Sequence, residues 1–233
     1  MSSFLSKLSI VGAAVACLAG VPAQAQVTYA TDGTTANIPG LTGFATTGAD
    51  MTGLNVTATF SNGFSQSLAW GTTGAGAGGV FGTGWALTLS GDSFGGNWLF
   101  DFKGIEAQLT RLVLDGSTGL TVLDRSLPSP GTDGSANGLD FSFAGGTCGS
   151  CAATATYGGL TSIGAAAAVG DLFQKVTVDF TGGTGPRTDW SFVQDTDNDS
   201  RFVPGVPEPE TYALLLGGLG FVSWVARRRR QVV

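Results

Sequence analysis

Histidine is absent from all 233 residues, so any chemistry in this chain must come from carboxylates, hydroxyls, thiols or the backbone. That removes Ser-His and Cys-His nucleophile pairs, together with the imidazole sites that commonly hold zinc or non-haem iron. Ser93 stands in "GDSFG", the spacing of a nucleophile elbow, without the general base that would activate its hydroxyl. "GAGAGG" (Gly74 to Gly79) has the letters of a dinucleotide fingerprint. The strand-like "VFGTGWALTLS" follows it, however, where a helix N-terminus would have to face a pyrophosphate, which leaves a flexible Gly-rich loop. Fifteen acidic residues between Gln26 and Val206 offer carboxyl pairs of the kind glycoside hydrolases use, yet most stand beside Gly, Asn or Thr and no linear pattern pairs an acid with its partner. The expectation is a protein without enzymatic activity.

Two further clusters carry structural or ligand chemistry. Cys148 and Cys151 form a C-x-x-C in "TCGSCA", preceded by Gly145 and Gly146 and followed by a Thr/Ala β run. A redox motif needs a strand before it and a helix after it, so a local disulfide pinning a turn is expected, and two thiolates without imidazole do not suit zinc. In "DTDNDS", Asp195, Asp197 and Asp199 alternate as positions 1, 3 and 5 of a Ca²⁺ loop do, while Ser200 and Val206 stand where the turn glycine and bidentate Glu belong. Two readings stay open: a looped backbone converging these oxygens on Ca²⁺, or a solvated acidic linker. No other cofactor is implied.

The elements that would position these groups are strands. "LNVTATF" alternates apolar and polar residues, and Ser61-Asn62-Gly63 before "FSQSLAW" is a hairpin signal, because Asn and Gly tolerate positive φ. "GWALTLS", "NWLFDF", "TRLVLD", "LTVLD", "LDFSF", "ATATY", "KVTVDF" and "DWSFVQD" add to a count of about ten short strands separated by Gly, Asp-Gly and Ser-Pro turns. The fold class expected is all-β, a Gly/Thr-rich sandwich of jelly-roll type, with Ser126 to Gly138 as the long loop joining its halves. "LTSIGAAAAVGDLF" is the one stretch suited to a helical turn. Trp70, Trp85, Trp98 and Trp190 lie in the body. Read as exposed rings they would stack on sugars, the basis of an alternative carbohydrate-binding module, and read by alternation they are core.

Both ends differ from this body. Lys7, the apolar run from Leu8 to Val21, and Ala23-Gln24-Ala25 have the three parts of a secretory signal peptide with cleavage between Ala25 and Gln26; a retained helix or a lipoprotein cysteine at Cys17 are the alternatives. Such a signal implies the Sec translocon and signal peptidase as partners. At the other end, Tyr212 to Ala226 is apolar apart from Ser223. As a helix it would span about 22 Å, short for a hydrocarbon core of about 30 Å. Arg227, Arg228, Arg229 and Arg230 would keep the C-terminus in the cytoplasm, leaving the body outside the inner membrane. The domain organisation expected is a signal helix over 1–25, the sandwich over 26–203 and a tail over 204–233. Between Gln26 and Val206 the net charge is −9, which repels phosphates and argues against a nucleic-acid partner.

The order Val206-Pro207-Glu208-Pro209-Glu210, short membrane segment, arginine cluster closely resembles the PEP-CTERM sorting tail of Gram-negative bacterial proteins. The resemblance implies recognition by an exosortase, a membrane cysteine protease that cuts near Pro-Glu-Pro and passes the body to the cell surface or extracellular matrix. Pro207 and Pro209 suit such a site, since they hold the backbone extended and outside the helix. "TGADMTGLNVTATFSNG", "LTRLVLDG", "VGDLFQKVTVDF" and "FVQDTDND" resemble an exported group that carries this tail. That second likeness brings no activity, and implies only a general association with exopolysaccharide and biofilm matrix.

Overall fold

The computed structural model describes residues 25–36, 46–126, 131–132, 135, 138–145, 147–163, 167–181 and 185–198. Their strands are β1 (Gln26–Thr31), β2 (Asn55–Phe60), β3 (Ser65–Ala69), β4 (Gly71–Gly74), β5 (Ala77–Gly82), β6 (Trp85–Ser90) and β7 (Trp98–Phe102). They continue with β8 (Leu109–Asp115), β9 (Thr121–Asp124), β10 (Ser142–Phe143), β11 (Ala152–Leu160), β12 (Leu172–Phe180), β13 (Trp190–Val193) and β14 (Asp195–Asn198). Alternation decides which residues face inward. In β2 the side chains of Val56, Ala58 and Phe60 are buried while Asn55, Thr57 and Thr59 are half-exposed, the period of a sheet covered on one side. The β2–β3 hairpin closes through Gly63 at φ +85° and Asn62 Oδ1, which accepts from Phe64 N at 3.0 Å.

These strands make the two-sheet sandwich that the alternation predicts. One sheet runs β1-β11-β12-β8-β2-β3, with β9 paired to β12 beyond the end of β8 and β14 paired to β9. The other runs β10-β13-β7-β6-β5-β4. All pairings are antiparallel except β1 with β11. The long loop after β9 does cross from one sheet to the other, ending at β10. No helix is present among the described residues, including the described part of the stretch suited to a helical turn, and the expected signal and membrane helices lie outside them.

The core between the sheets is aromatic. Trp190, Phe100, Leu87 and Val80 are successive cross-strand partners over β13, β7, β6 and β5, and all four are buried. Trp85 stacks on Phe100 at 5.6 Å and Trp98 on Phe192 at 5.6 Å, offset contacts that add to the area each ring hides. All four body tryptophans are at most 3 % exposed, which corrects their reading as sugar platforms: they fill the space between the sheets.

Two glycines of "GAGAGG", Gly78 and Gly79, are likewise packing residues. Instead of a flexible loop, the stretch belongs to the β4–β5 hairpin, turning at Gly76 with φ +65°. A Cβ on Gly78 would lie 2.0 Å from Gly48 O and 2.3 Å from Trp70 Nε1. Those two atoms are hydrogen-bonded to each other, Trp70 Nε1 donating to Gly48 O at 2.7 Å. Gly78→Ala is therefore expected to lower stability by about 1–3 kcal/mol through overpacking. Gly71→Ala, with open space around its Cβ position, should stay within about 1 kcal/mol of the parent. Urea titration of the two variants checks the contrast.

Candidate functional site: a buried carboxyl cluster at the sheet crossover

The chain leaves the second sheet at Val193 and enters the first at Asp195, so Gln194 is the corner between β13 and β14. A strand that changes sheets breaks both hydrogen-bond ladders, and its buried polar groups need other partners. Gln194, fully buried, provides them. Its amide Nε2 lies within hydrogen-bond distance of the carbonyls of Asp195 at 2.9 Å, Leu139 at 3.1 Å and Asp124 at 3.2 Å, so its two N–H groups are shared among three acceptors. Its Oε1 accepts from Tyr157 Oη at 2.6 Å, and its backbone carbonyl accepts from Trp98 Nε1 at 2.9 Å.

Beyond that corner β14 carries its acids inside the protein. Asp195 and Asp197 are each 6 % exposed and Asp124, opposite Asp195 on β9, is 3 % exposed. This corrects the backbone assumed in both sequence readings of "DTDNDS": its described part, Asp195 to Asn198, is a buried strand paired with β9 rather than an open loop or a solvated linker. Among the described residues no group of three or more Asp, Glu, Cys or His side chains is placed to hold a metal ion, and Asp199 lies outside them.

The cluster is tied by hydroxyls instead of countercharges. Ser135 Oγ lies 2.7 Å from Asp124 Oδ2 and within hydrogen-bond distance of Asp197 Oδ2. One hydroxyl proton serves one carboxylate, so satisfying both contacts requires one of the two carboxyls to be protonated and to donate to Ser135. Burial pushes Asp124 up to about 7, Asp195 to about 7 and Asp197 to about 6, and neighbouring carboxylates add to each shift. The serine hydrogen bonds oppose it. None of the ion pairs among the described residues reaches these three; the adjacent Arg125 is bound to Asp140 at 2.7 Å and lies over the rings of Tyr157 and Tyr29.

The "GDSFG" serine belongs to the same cluster. Ser93 is fully buried; its hydroxyl contacts Asp195 Oδ1 at 2.8 Å and accepts from Thr196 N at 3.1 Å. It ties the β6–β7 loop to β14. Asp171 completes the surroundings, accepting from the Thr132 hydroxyl at 2.6 Å and so holding the long loop. A cleft of about 250 Å³ lined by Thr31, Gly33, Thr34, Leu160, Gly170 and Phe173 opens elsewhere and contains no titratable side chain.

The other singled-out residues are dispersed. Cys148 and Cys151 are joined by a disulfide, with Cα atoms 5.4 Å apart. Gln26 opens β1 directly after Ala25. Ala23, Val206, Pro207, Glu208, Pro209 and Arg227 to Arg230 lie outside the described residues. Seven residues separate the end of β14 at Asn198 from Val206. Comparison with known protein families decides the nature of the C-terminal segment. Residues 205–230 match the PEP-CTERM protein-sorting motif.

The sorting motif implies export, a C-terminal membrane anchor before cleavage, and processing by an exosortase. No curated protein and no solved structure matches the chain, so the likeness of the body to an exported group rests on its sequence pieces alone. Sequence reasoning missed Gln194, Asp124 and Ser135. Gln194 and Asp124 stand at the polar ends of the strand-like runs "DWSFVQD" and "LTVLD" and Ser135 in the long loop, positions that point to solvent.

A pH response arises from the cluster. With carboxyl pKa values higher in the folded than in the unfolded chain, the fold binds more protons between about pH 4 and pH 7. Its contribution to stability is therefore complete below the ordinary carboxylate range and lost as pH rises through about 6 to 7. The melting temperature should be several degrees higher at about pH 5 than at about pH 8, and Asp197→Asn should flatten that slope. A thermal melt series over pH measures both.

Proposed function

We propose that this chain is a non-enzymatic structural protein of the cell surface or extracellular matrix, delivered there after exosortase cleavage near Pro207 to Pro209. The observation that carries the reading is the sorting motif over residues 205–230, placed after a sandwich whose reactive side chains are used internally. Ser93, the candidate nucleophile, is bonded to Asp195 and Thr196 inside the protein. The three perturbed carboxyls are bonded to serines and are at most 6 % exposed. A hydrolase needs such groups at a surface that a substrate can reach.

The route begins with the N-terminal signal, the Sec translocon and signal peptidase, which release the chain at Gln26. Tyr212 to Ala226 then stops in the inner membrane, with Arg227 to Arg230 on the cytoplasmic side by the positive-inside rule. Its 15 residues are short for a permanent span, which fits a temporary halt before the cut. Association with exopolysaccharide in a biofilm matrix is the setting that the sorting tail suggests for the released body.

In an exosortase-deleted strain the protein should remain full length in the membrane fraction, whereas the parent strain should release a body ending near Pro-Glu-Pro. Mass spectrometry of the C-terminal peptide in both fractions reads the result. An identical C-terminus and location in the two strains would sink the proposal.

A further inference from the structure

Outside the carboxyl cluster, the residue with unused chemistry is Gln26. It is the first residue of β1 and its side chain is exposed. Its backbone N donates to Cys151 O at 2.9 Å, in the turn closed by the disulfide. If the export reading holds and the signal is removed after Ala25, the Gln26 nitrogen becomes an α-amine. Its own side-chain amide carbon, Cδ, then lies one five-membered ring closure away.

An α-amino group has a pKa of about 7.7–8.0, so an appreciable fraction is the neutral nucleophile near pH 7. Intramolecular attack also gains the effective concentration of a tethered reactant. We propose that Gln26 is a self-modifying N-terminus that cyclises to pyroglutamate once the signal is removed. The α-nitrogen attacks Cδ, a new C–N bond forms, the Cδ–Nε2 bond breaks, and ammonia leaves with the displaced proton. No oxidant or second substrate is needed.

The fold accommodates the product. Among the described residues the Gln26 nitrogen makes one hydrogen bond, to Cys151 O, and a lactam keeps the single N–H that this bond requires. The ring forms from a side chain already in solvent. The consequence concerns β1 as a whole: it is the edge strand of its sheet, and five of its six residues are exposed. Its side-chain anchors are few, chiefly Tyr29 Oη donating to Phe141 O at 3.1 Å and Thr28 paired with Thr154 at 2.9 Å. A free amine on such a strand invites stepwise trimming by aminopeptidases; trimming through Tyr29 would also remove one of the two rings that cover Arg125. A lactam blocks the first step.

The test uses the processed protein as the producing cell releases it. Its free amines are dimethylated before denaturation, so that cyclisation during handling does not count, and the N-terminal and C-terminal peptides are read by mass spectrometry. The expected N-terminal peptide begins at residue 26, is unlabelled at its end, and is one ammonia lighter than open-chain glutamine. A labelled, open-chain Gln26 overturns the proposal. So does a peptide starting elsewhere, which places the failure in the cleavage site, while the C-terminal peptide independently reports whether sorting occurred. Gln26→Ala, which keeps the amine, should lose β1 residues to an aminopeptidase that leaves the parent intact; equal trimming of both overturns the protective role.

Discussion

The fold depends on one corner. A sandwich has two covered faces, and the chain must pass between its sheets without burying unpaired backbone groups. At Gln194 it does so at full burial, where no water can substitute. One amide side chain binds three carbonyls drawn from β9, from the approach to β10 and from β14, and the Tyr157 hydroxyl of β11 caps its oxygen. Tyr157 Oη in turn accepts from Phe141 N at 2.8 Å. With Trp98 Nε1 of β7 donating to the Gln194 carbonyl, the bonds connect both sheets and the connection between them, and no apolar residue of similar volume could supply those of the amide side chain. The aromatic stacks fill the interior, but they have no direction; the corner sets which strand goes where.

The carboxyl cluster results from the same geometry. β14 is short, lies against β9 and is covered on both faces, so every one of its four residues is buried. Asp195 and Asp124 are direct cross-strand partners, an arrangement that like charges would oppose if both were ionised. Protonation and the hydroxyls of Ser93 and Ser135 relieve it. Those hydroxyls come from the β6–β7 loop and the long loop after β9, so relieving the charge also fastens two loops. Polar burial here acts as connection, at the cost of desolvating three acids.

How much of this was legible in the sequence depends on whether burial leaves an apolar trace. Val56, Ala58 and Phe60, or Val176 and Val178, announce their strands because a sheet with one wet face must alternate. The Asn62-Gly63 turn is equally direct, since few residues adopt its backbone angles. β14 leaves no trace: Asp-Thr-Asp-Asn is the composition of a solvated turn, and only tertiary pairing with Thr121 to Asp124 makes it a strand. The tryptophans were ambiguous for the opposite reason, because the same side chain serves as core or as platform and only the facing sheet decides. Gly78 looked like freedom and proved to be room for Trp70. The sorting motif was fully legible, because its meaning lies in linear order and needs no folded context.

The absence of histidine gives these observations a common physical setting. An ordinary exported domain answers pH between about 5 and 8 through its imidazoles; this one has none, and the groups poised there are Asp124, Asp195 and Asp197. Their ionisation acts in the same direction as the net charge of the body, already −9 between Gln26 and Val206, because further negative charge increases self-repulsion in the compact state. Desolvation and repulsion therefore combine, and both are weakest under mildly acid conditions. The outer ion pairs Arg111–Asp179, Lys103–Asp101 and Lys175–Asp32 are partly or largely exposed and screened, and offset little of this. A body built this way owes its cohesion to apolar burial and to hydroxyl-bound protons. The expected pH response is thus a property of where β14 lies, and β14 lies there because Gln194 turns the chain.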